Sequence, residues 1–206
     1  MVPRMTQLAH SGRRQQERSR VTRLGLLAAA IECVAELGWA GATMAVIAER
    51  AGGSRDARQH HLPTRGELLT AAEEHVGRAR IEEIRHRGSR LPKGKRRTEA
   101  ILALLASFYM DSLFAAALQV WTAAVSEPRL RTQAIALETR VNREVHRLAV
   151  ELLGVDEAAP GVRETVQATL DLIRGLALAN LLRDDGPRRR KVLRQWARIL
   201  DDTFSR

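Results

Sequence analysis

An all-α fold is predicted for this 206-residue sequence by three observations. Proline is scarce, at 6 residues, and aromatic residues make up only 3%. Ala, Leu, Arg and Glu dominate, all good helix formers, without the β-branched and aromatic bias of strands. Apolar residues recur at helical spacing along most of the chain, and an apolar content of 45% can supply a core.

The elements follow in order. Leu24, Leu27, Ile31 and Val34 share one helix face, which places a helix from about Ser19 to Leu37 with Gly38 as its stop. Thr43 is a good N-cap for a short helix with Ile47, Ala48 and Ala51 on one side, ended by Gly52-Gly53. Ser54 caps a second short helix reaching His61, with Asp56 in its first turn, where a carboxylate favours the positive end of the macrodipole. Pro63 punctuates the chain. Thr64 to Glu67 then reads as a capping box, the Thr64 hydroxyl accepting the N3 amide while Glu67 reaches back, and it starts a helix carrying Leu68, Leu69, Ala72, Val76, Ala79 and Ile84.

The stretch from Arg85 to Arg97 combines Gly, Ser, Pro and dense positive charge, and reads as an exposed connector. Ala100 to Val125 is apolar enough to span a bilayer by length. Asp111 near its centre would cost on the order of 3 kcal/mol in hydrocarbon, and Ser107, Ser112, Gln119 and Thr122 dilute the run further. Two buried helices and no membrane partner are therefore expected. Pro128, suited to a first helical turn, opens a long helix to about Leu153. Val166, Leu170, Ile173, Ala177 and Leu181 form a stripe on the next helix, and Val192, Leu193, Trp196, Ile199 and Leu200 another on the last. About nine helices result.

The net charge is +10, so a polyanion is the first partner to consider. Met1 to Arg65 holds ten arginines against only five acidic residues. The single cysteine, Cys33, allows no intrachain disulfide and fits a reducing compartment, and the N-terminus has no apolar signal region, so a cytoplasmic location is expected. There is no nucleophile elbow, P-loop, dinucleotide fingerprint or zinc motif, and Glu73-Glu74 and Glu82-Glu83 read as exposed helix faces; neither an enzyme nor a cofactor is expected. His60 and His61 invite a metal, but neighbours at i and i+1 do not face each other on a helix and no further ligand completes a site.

A helix, a tight Gly-containing turn and a second short helix on a basic surface form the arrangement that places one helix in a DNA major groove while its neighbour braces it on the backbone. Arg55, Arg58 and Gln59 are the residue types that read base edges, Arg on guanine and Gln on adenine. The helix starts at Thr43 and Ser54 can receive phosphates.

Over about Leu24 to Leu69 the sequence resembles the DNA-binding head of the tetracycline-repressor (TetR) family of transcription regulators, through Thr43, Ile47, Ala48, Ala51, Gly52, Ser54, His61 and Leu68. Gly53 stands where that family usually has Val, Asp56 where it often has Gly, Arg58 for an aliphatic residue, Gln59 for Tyr, Leu62 for Phe and Arg65 for Lys. The resemblance implies a flexible basic arm over 1–17, a three-helix helix-turn-helix head over 18–65, and a helical effector-binding and dimerisation body over 66–206. It implies a homodimer on a palindromic double-stranded DNA operator, acting as a repressor released by a small, largely apolar effector. The DNA-contacting set is then Thr43, Ser54, Arg55, Arg58, Gln59, His60, His61 and Arg65. The effector pocket is expected from Leu105, Phe108, Tyr109, Asp111, Phe114, Leu118, Trp121, Thr122, Asn142 and His146. The dimer interface is expected from Leu170, Ile173, Ala177, Leu181, Leu193, Trp196 and Leu200. A helical small-molecule binding protein or enzyme whose head no longer reads DNA specifically is the alternative.

Overall fold

The computed structural model describes residues 4–52, 64–91, 93, 94 and 96–204, with side chains from residue 23 onward. Its described residues form eight α-helices: α1 (Arg4–Gly41), α2 (Met44–Arg50), α3 (Arg65–Ser89), α4 (Arg97–Ser107), α5 (Ser112–Ala124), α6 (Pro128–Leu153), α7 (Val162–Asn180) and α8 (Gly186–Phe204). The short helix expected over Ser54 to His61 lies outside the described residues.

Local chemistry accounts for most boundaries. Gly38 breaks α1 at φ 71° and ψ 174°, a conformation that favours glycine, and the side chain of Gln119 on α5 lies against it, Oε1 3.4 Å from where a Cβ would stand. Thr43 caps α2, its hydroxyl accepting from the Val46 amide at 3.3 Å. The capping box at Thr64 is complete: Thr64 Oγ1 accepts from the Glu67 amide at 3.3 Å, and Glu67 Oε2 accepts from the Thr64 amide at 2.7 Å. Pro128 occupies the first turn of α6, and Gly154 ends that helix in the left-handed conformation at φ 68°.

Three boundaries differ from the sequence reading. α1 begins at Arg4 rather than about Ser19, so residues 4–17 are helical backbone continuous with the head. An apolar stripe cannot mark a helical stretch this polar, whereas its Arg, Gln and Glu are strong helix formers. α3 continues to Ser89, which shortens the expected 85–97 connector. Arg85 there donates to Glu82 and to Glu151 of α6, and Gly88 is a close approach rather than a breaker: a Cβ would overlap Leu152 Cδ2. The apolar run from Ala100 to Val125 divides into α4 and α5, bent by 59°. Asp111 sits at the bend, where its carboxylate caps α5 by accepting from the Phe114 amide at 3.3 Å and pairs with Arg80 of α3. Arg23–Gly41 is one further stretch long and apolar enough to cross a membrane by length and composition, and a third of it is buried in the fold.

The core lies in two clusters. Leu27, Ala30, Ile31, Val34 and Ile47 of the head pack with Leu68, Leu69 and Ala72 of α3 and Leu113 and Ala116 of α5. The larger cluster joins α4, α6, α7 and α8 with Ile81 and Ile84 of α3 and Phe114 of α5. Helices α3 and α5 thus belong to both.

Candidate DNA-binding head and the pocket behind it

Gly52, at φ 70°, ends α2 and turns the chain toward Ser54. Of the residues expected to meet DNA, Thr43 is exposed at the start of α2. Ser54, Arg55, Arg58, Gln59, His60 and His61 lie outside the described residues.

Arg65 requires a correction. Its guanidinium stacks on the Trp39 ring at 3.5 Å from the centroid, donates to the Trp39 carbonyl, and donates to the Ala42 carbonyl at 3.3 Å. Burial holds it below the usual arginine pKa. The side chain therefore ties the start of α3 to the turn between α1 and α2 instead of reaching outward. Trp39, which carries no sequence signal, is the other half of this tie: its Nε1 donates to Glu127 Oε1 at 3.0 Å, at the start of α6.

Directly behind the head, α3, α5, α6 and α7 line a narrow pocket with a cavity volume of about 30 Å³, within about 450 Å³ of empty space that includes the open mouth. Glu73 and Gly77 line it from α3, Phe108 and Tyr109 from the bend, Leu113, Phe114, Ala117 and Trp121 from α5, Glu138, Val141 and Asn142 from α6, and Arg174 from α7. Phe108, Tyr109, Phe114 and Trp121 form an edge-to-face series with centroid separations of 5.1, 5.3 and 6.4 Å. A polar relay crosses one wall. Asn142 Nδ2 donates to Glu138 Oε1 at 2.5 Å, Arg174 Nη2 donates to Asn142 Oδ1 at 2.7 Å, and Arg174 Nη1 lies 3.4 Å from Asp171. Burial, with the nearby Glu138 charge adding to it, pushes the Glu73 carboxyl up to about 7.

Five of the ten expected pocket residues line this space: Phe108, Tyr109, Phe114, Trp121 and Asn142. The other five are corrected. Leu105 is fully buried in the body core, and Leu118 packs against that core. Asp111 is engaged in capping and in its ion pair with Arg80. The Thr122 hydroxyl is exposed and donates to the Leu118 carbonyl at 2.9 Å. His146 is buried with its Nε2 2.9 Å from Glu157 Oε1, turned to the loop after α6. Glu138 was within reach of the sequence, one helical turn before Asn142 on the same face. Glu73, read as an exposed face, turns inward, while Glu74 points out to Arg140 at 2.6 Å. Nothing local distinguishes the two.

The expected interface residues are also largely internal. Leu170, Ile173, Ala177, Leu193 and Leu200 are buried in the chain's own core, Ile173 at 0% exposure. Trp196 is partly buried and donates from Nε1 to Thr169 Oγ1 at 2.9 Å, joining α8 to α7. Leu181 alone of the seven is exposed, in company with Leu178, Ile199 and Leu182, the last at 93%. A stripe strong enough to be seen by periodicity is the one that faces the core, and the outer face is a weaker mixture with charged residues.

Three comparisons bear on this architecture. No family model matches the chain. Over 204 residues it is 33% identical to the HTH-type transcriptional regulator CymR of Pseudomonas putida, an alignment covering 94% of this chain and 96% of that protein. It is 28% identical over 144 residues to the uncharacterized HTH-type transcriptional regulator Rv2912c of Mycobacterium tuberculosis, covering 70% of this chain and 74% of that one. Among solved structures it resembles one assigned as a transcriptional regulator from Pseudomonas aeruginosa PAO1, with a TM-score of 0.68, 21% identity, and 87% of this chain and 90% of that chain covered. A second, from Saccharomonospora viridis in complex with choline, gives a TM-score of 0.64, 18% identity and coverages of 84% and 94%. With the capped α2, the Gly52 turn, the helical body behind them and a full-length relative that is such a regulator, the chain belongs to the TetR family of helix-turn-helix, DNA-binding transcription regulators.

Proposed function

We propose that the protein is a homodimeric repressor that leaves a palindromic operator when a small, largely apolar ligand fills the pocket behind the head. One observation carries this reading: single helices serve both parts. On α3, Leu68, Leu69 and Ala72 pack into the head core, and Glu73 and Gly77 line the pocket. On α5, Leu113 and Ala116 pack into the head core, and Leu113, Phe114, Ala117 and Trp121 line the pocket. A ligand that prefers one setting of these helices changes the setting of the head, by its differential affinity for the two states and no more.

Thr43, Ser54, Arg55, Arg58, Gln59, His60 and His61 form the proposed DNA surface, with Arg65 positioning it through Trp39. The division into a head over 18–65 and a body over 66–206 belongs to the same proposal, as does the 1–17 segment as an accessory basic contact. Exposed Leu178 of α7, Leu181 and Leu182 in the turn after it, and Ile199 of α8 form the proposed partner face, in line with their exposure in a single chain. Two heads would then meet half-sites about 34 Å apart, one helical turn. Selection of bound DNA from random sequence tests the proposal: a recovered palindrome supports it, and purely salt-sensitive, sequence-blind binding rejects it.

A further inference from the structure

We infer that the effector is an organic cation, an ammonium with an apolar body, whose charged nitrogen pairs with Glu73 against the aromatic series. The inference rests on the reading of this pocket as the effector site and names the chemistry that fits it.

The first argument is the charge inventory. Two carboxylates, Glu73 and Glu138, and one guanidinium, Arg174, line the pocket. Arg174 already faces Asp171 and donates to Asn142, and Glu138 already accepts from Asn142. Glu73 makes no hydrogen bond or ion pair with any described residue. It is a partly buried carboxylate with no paired cation at the edge of a mainly apolar pocket, a placement that costs folding free energy unless a cation arrives.

The second argument is the wall. Phe108, Tyr109, Phe114 and Trp121 meet edge to face, with interplanar angles of 78° to 85°. Ring faces carry negative charge density, so such a wall attracts an alkylammonium while accepting its methyl and aryl groups as ordinary apolar surface.

The Tyr109 hydroxyl is buried beside Arg174, whose guanidinium carbon lies 5.6 Å from the ring centroid and whose charge and hydrogen bonding partly offset the upward push of burial on the phenol. A carboxylate ligand would bring a third negative charge beside Glu73 and Glu138, which a cation avoids.

Of the other ionisable groups around Glu73, Glu74 pairs with Arg140 of α6, Arg80 with Asp111 at the start of α5, Arg174 with Asp171 on α7 and Arg147 with Glu144 of α6, while Arg78 of α3 and Arg143 of α6 line the open groove on its outer side. Glu138 is the one charge that acts on Glu73 appreciably, and with burial it holds that carboxyl at about 7. A bound cation requires the ionised form, so binding releases a proton, and affinity rises with pH through that value.

The test is titration of the full chain, followed by calorimetry and by Trp121 fluorescence, with three probes. These are benzyl(2-hydroxyethyl)dimethylammonium, its neutral analogue with a quaternary carbon in place of nitrogen, and 3-phenylpropionate. At pH about 8 the cation should bind at least about tenfold more tightly than the neutral analogue, and the gap should shrink at pH about 6. Glu73→Gln, of the same size and uncharged, should abolish the gap while leaving the neutral analogue's affinity unchanged. Equal binding of cation and neutral analogue, or preference for 3-phenylpropionate, overturns the cation assignment and leaves the pocket reading standing. If none of the three binds, and Trp121→Ala leaves operator release by crude metabolite extract unchanged, the pocket reading fails and the assignment with it.

Discussion

Replacing Arg65 separates the tie seen in the structure from the DNA contact that the family resemblance implied. In Arg65→Ala the ring stacking on Trp39 is lost, worth about 0.5–1 kcal/mol at a half-exposed site. Two carbonyls, of Trp39 and Ala42, also lose a charged donor, at about 1.5 kcal/mol together once water can partly replace it. The expected loss of stability is therefore about 2 kcal/mol, read from urea unfolding followed by helical circular dichroism. Arg65→Lys should recover only part of it, because an ammonium cannot stack and donate to both carbonyls as the planar fork does. An Arg65→Ala protein that unfolds at the wild-type midpoint, yet binds every DNA sequence more weakly by a common factor, would refute the tie and restore a direct DNA contact.

Three further outcomes follow from the same geometry. Ile173→Ala should cost about 2–5 kcal/mol of the chain's own folding stability, as expected of a fully buried core side chain, whereas Leu182→Arg should fold within about 0.5 kcal/mol of wild type and run as a monomer in analytical ultracentrifugation. Glu73 is held at about 7 against an ordinary carboxyl near 4.5, so the fold favours its protonated form and stability falls as pH rises from about 4.5 through about 7. Glu73→Gln should flatten that part of the pH–stability curve and stabilise the ligand-free protein at neutral pH by about 1–2 kcal/mol, allowing for its partial exposure. Arg55→Ala should cost about 1–3 kcal/mol on the preferred operator and little on unrelated sequence, as measured by competition binding; an equal loss everywhere makes Arg55 a phosphate contact.

The pattern of agreement has a physical basis. Thr43, Gly38, Gly52 and the Thr64–Glu67 box were legible because a cap or a left-handed turn is decided by residues within four positions of it. The aromatic wall was legible in part, since Phe108, Tyr109, Phe114 and Trp121 lie close together in sequence around the bend. Its polar wall was not: Glu73, Glu138 and Arg174 come from three helices, and none has a local pattern that distinguishes it from an exposed charge such as Glu74 or Arg140. The residues expected at the dimer interface lie mostly inside the chain for a related reason. Leu170, Ile173 and Ala177 form a clean apolar stripe because they face the core, and periodicity reports burial without saying against what.

The sequence by itself determined the helical class, the break and restart around Gly52 and Thr64, and the resemblance that led to a DNA-binding regulator. Only the tertiary structure decided that Arg65 holds Trp39, that Asp111 answers Arg80, that Leu182 and not Leu170 looks outward, and that Glu73 faces a pocket without a partner. The first set depends on backbone torsions and near neighbours along the chain. The second depends on which helix faces which, settled when segments far apart in sequence compete to bury the same apolar surface.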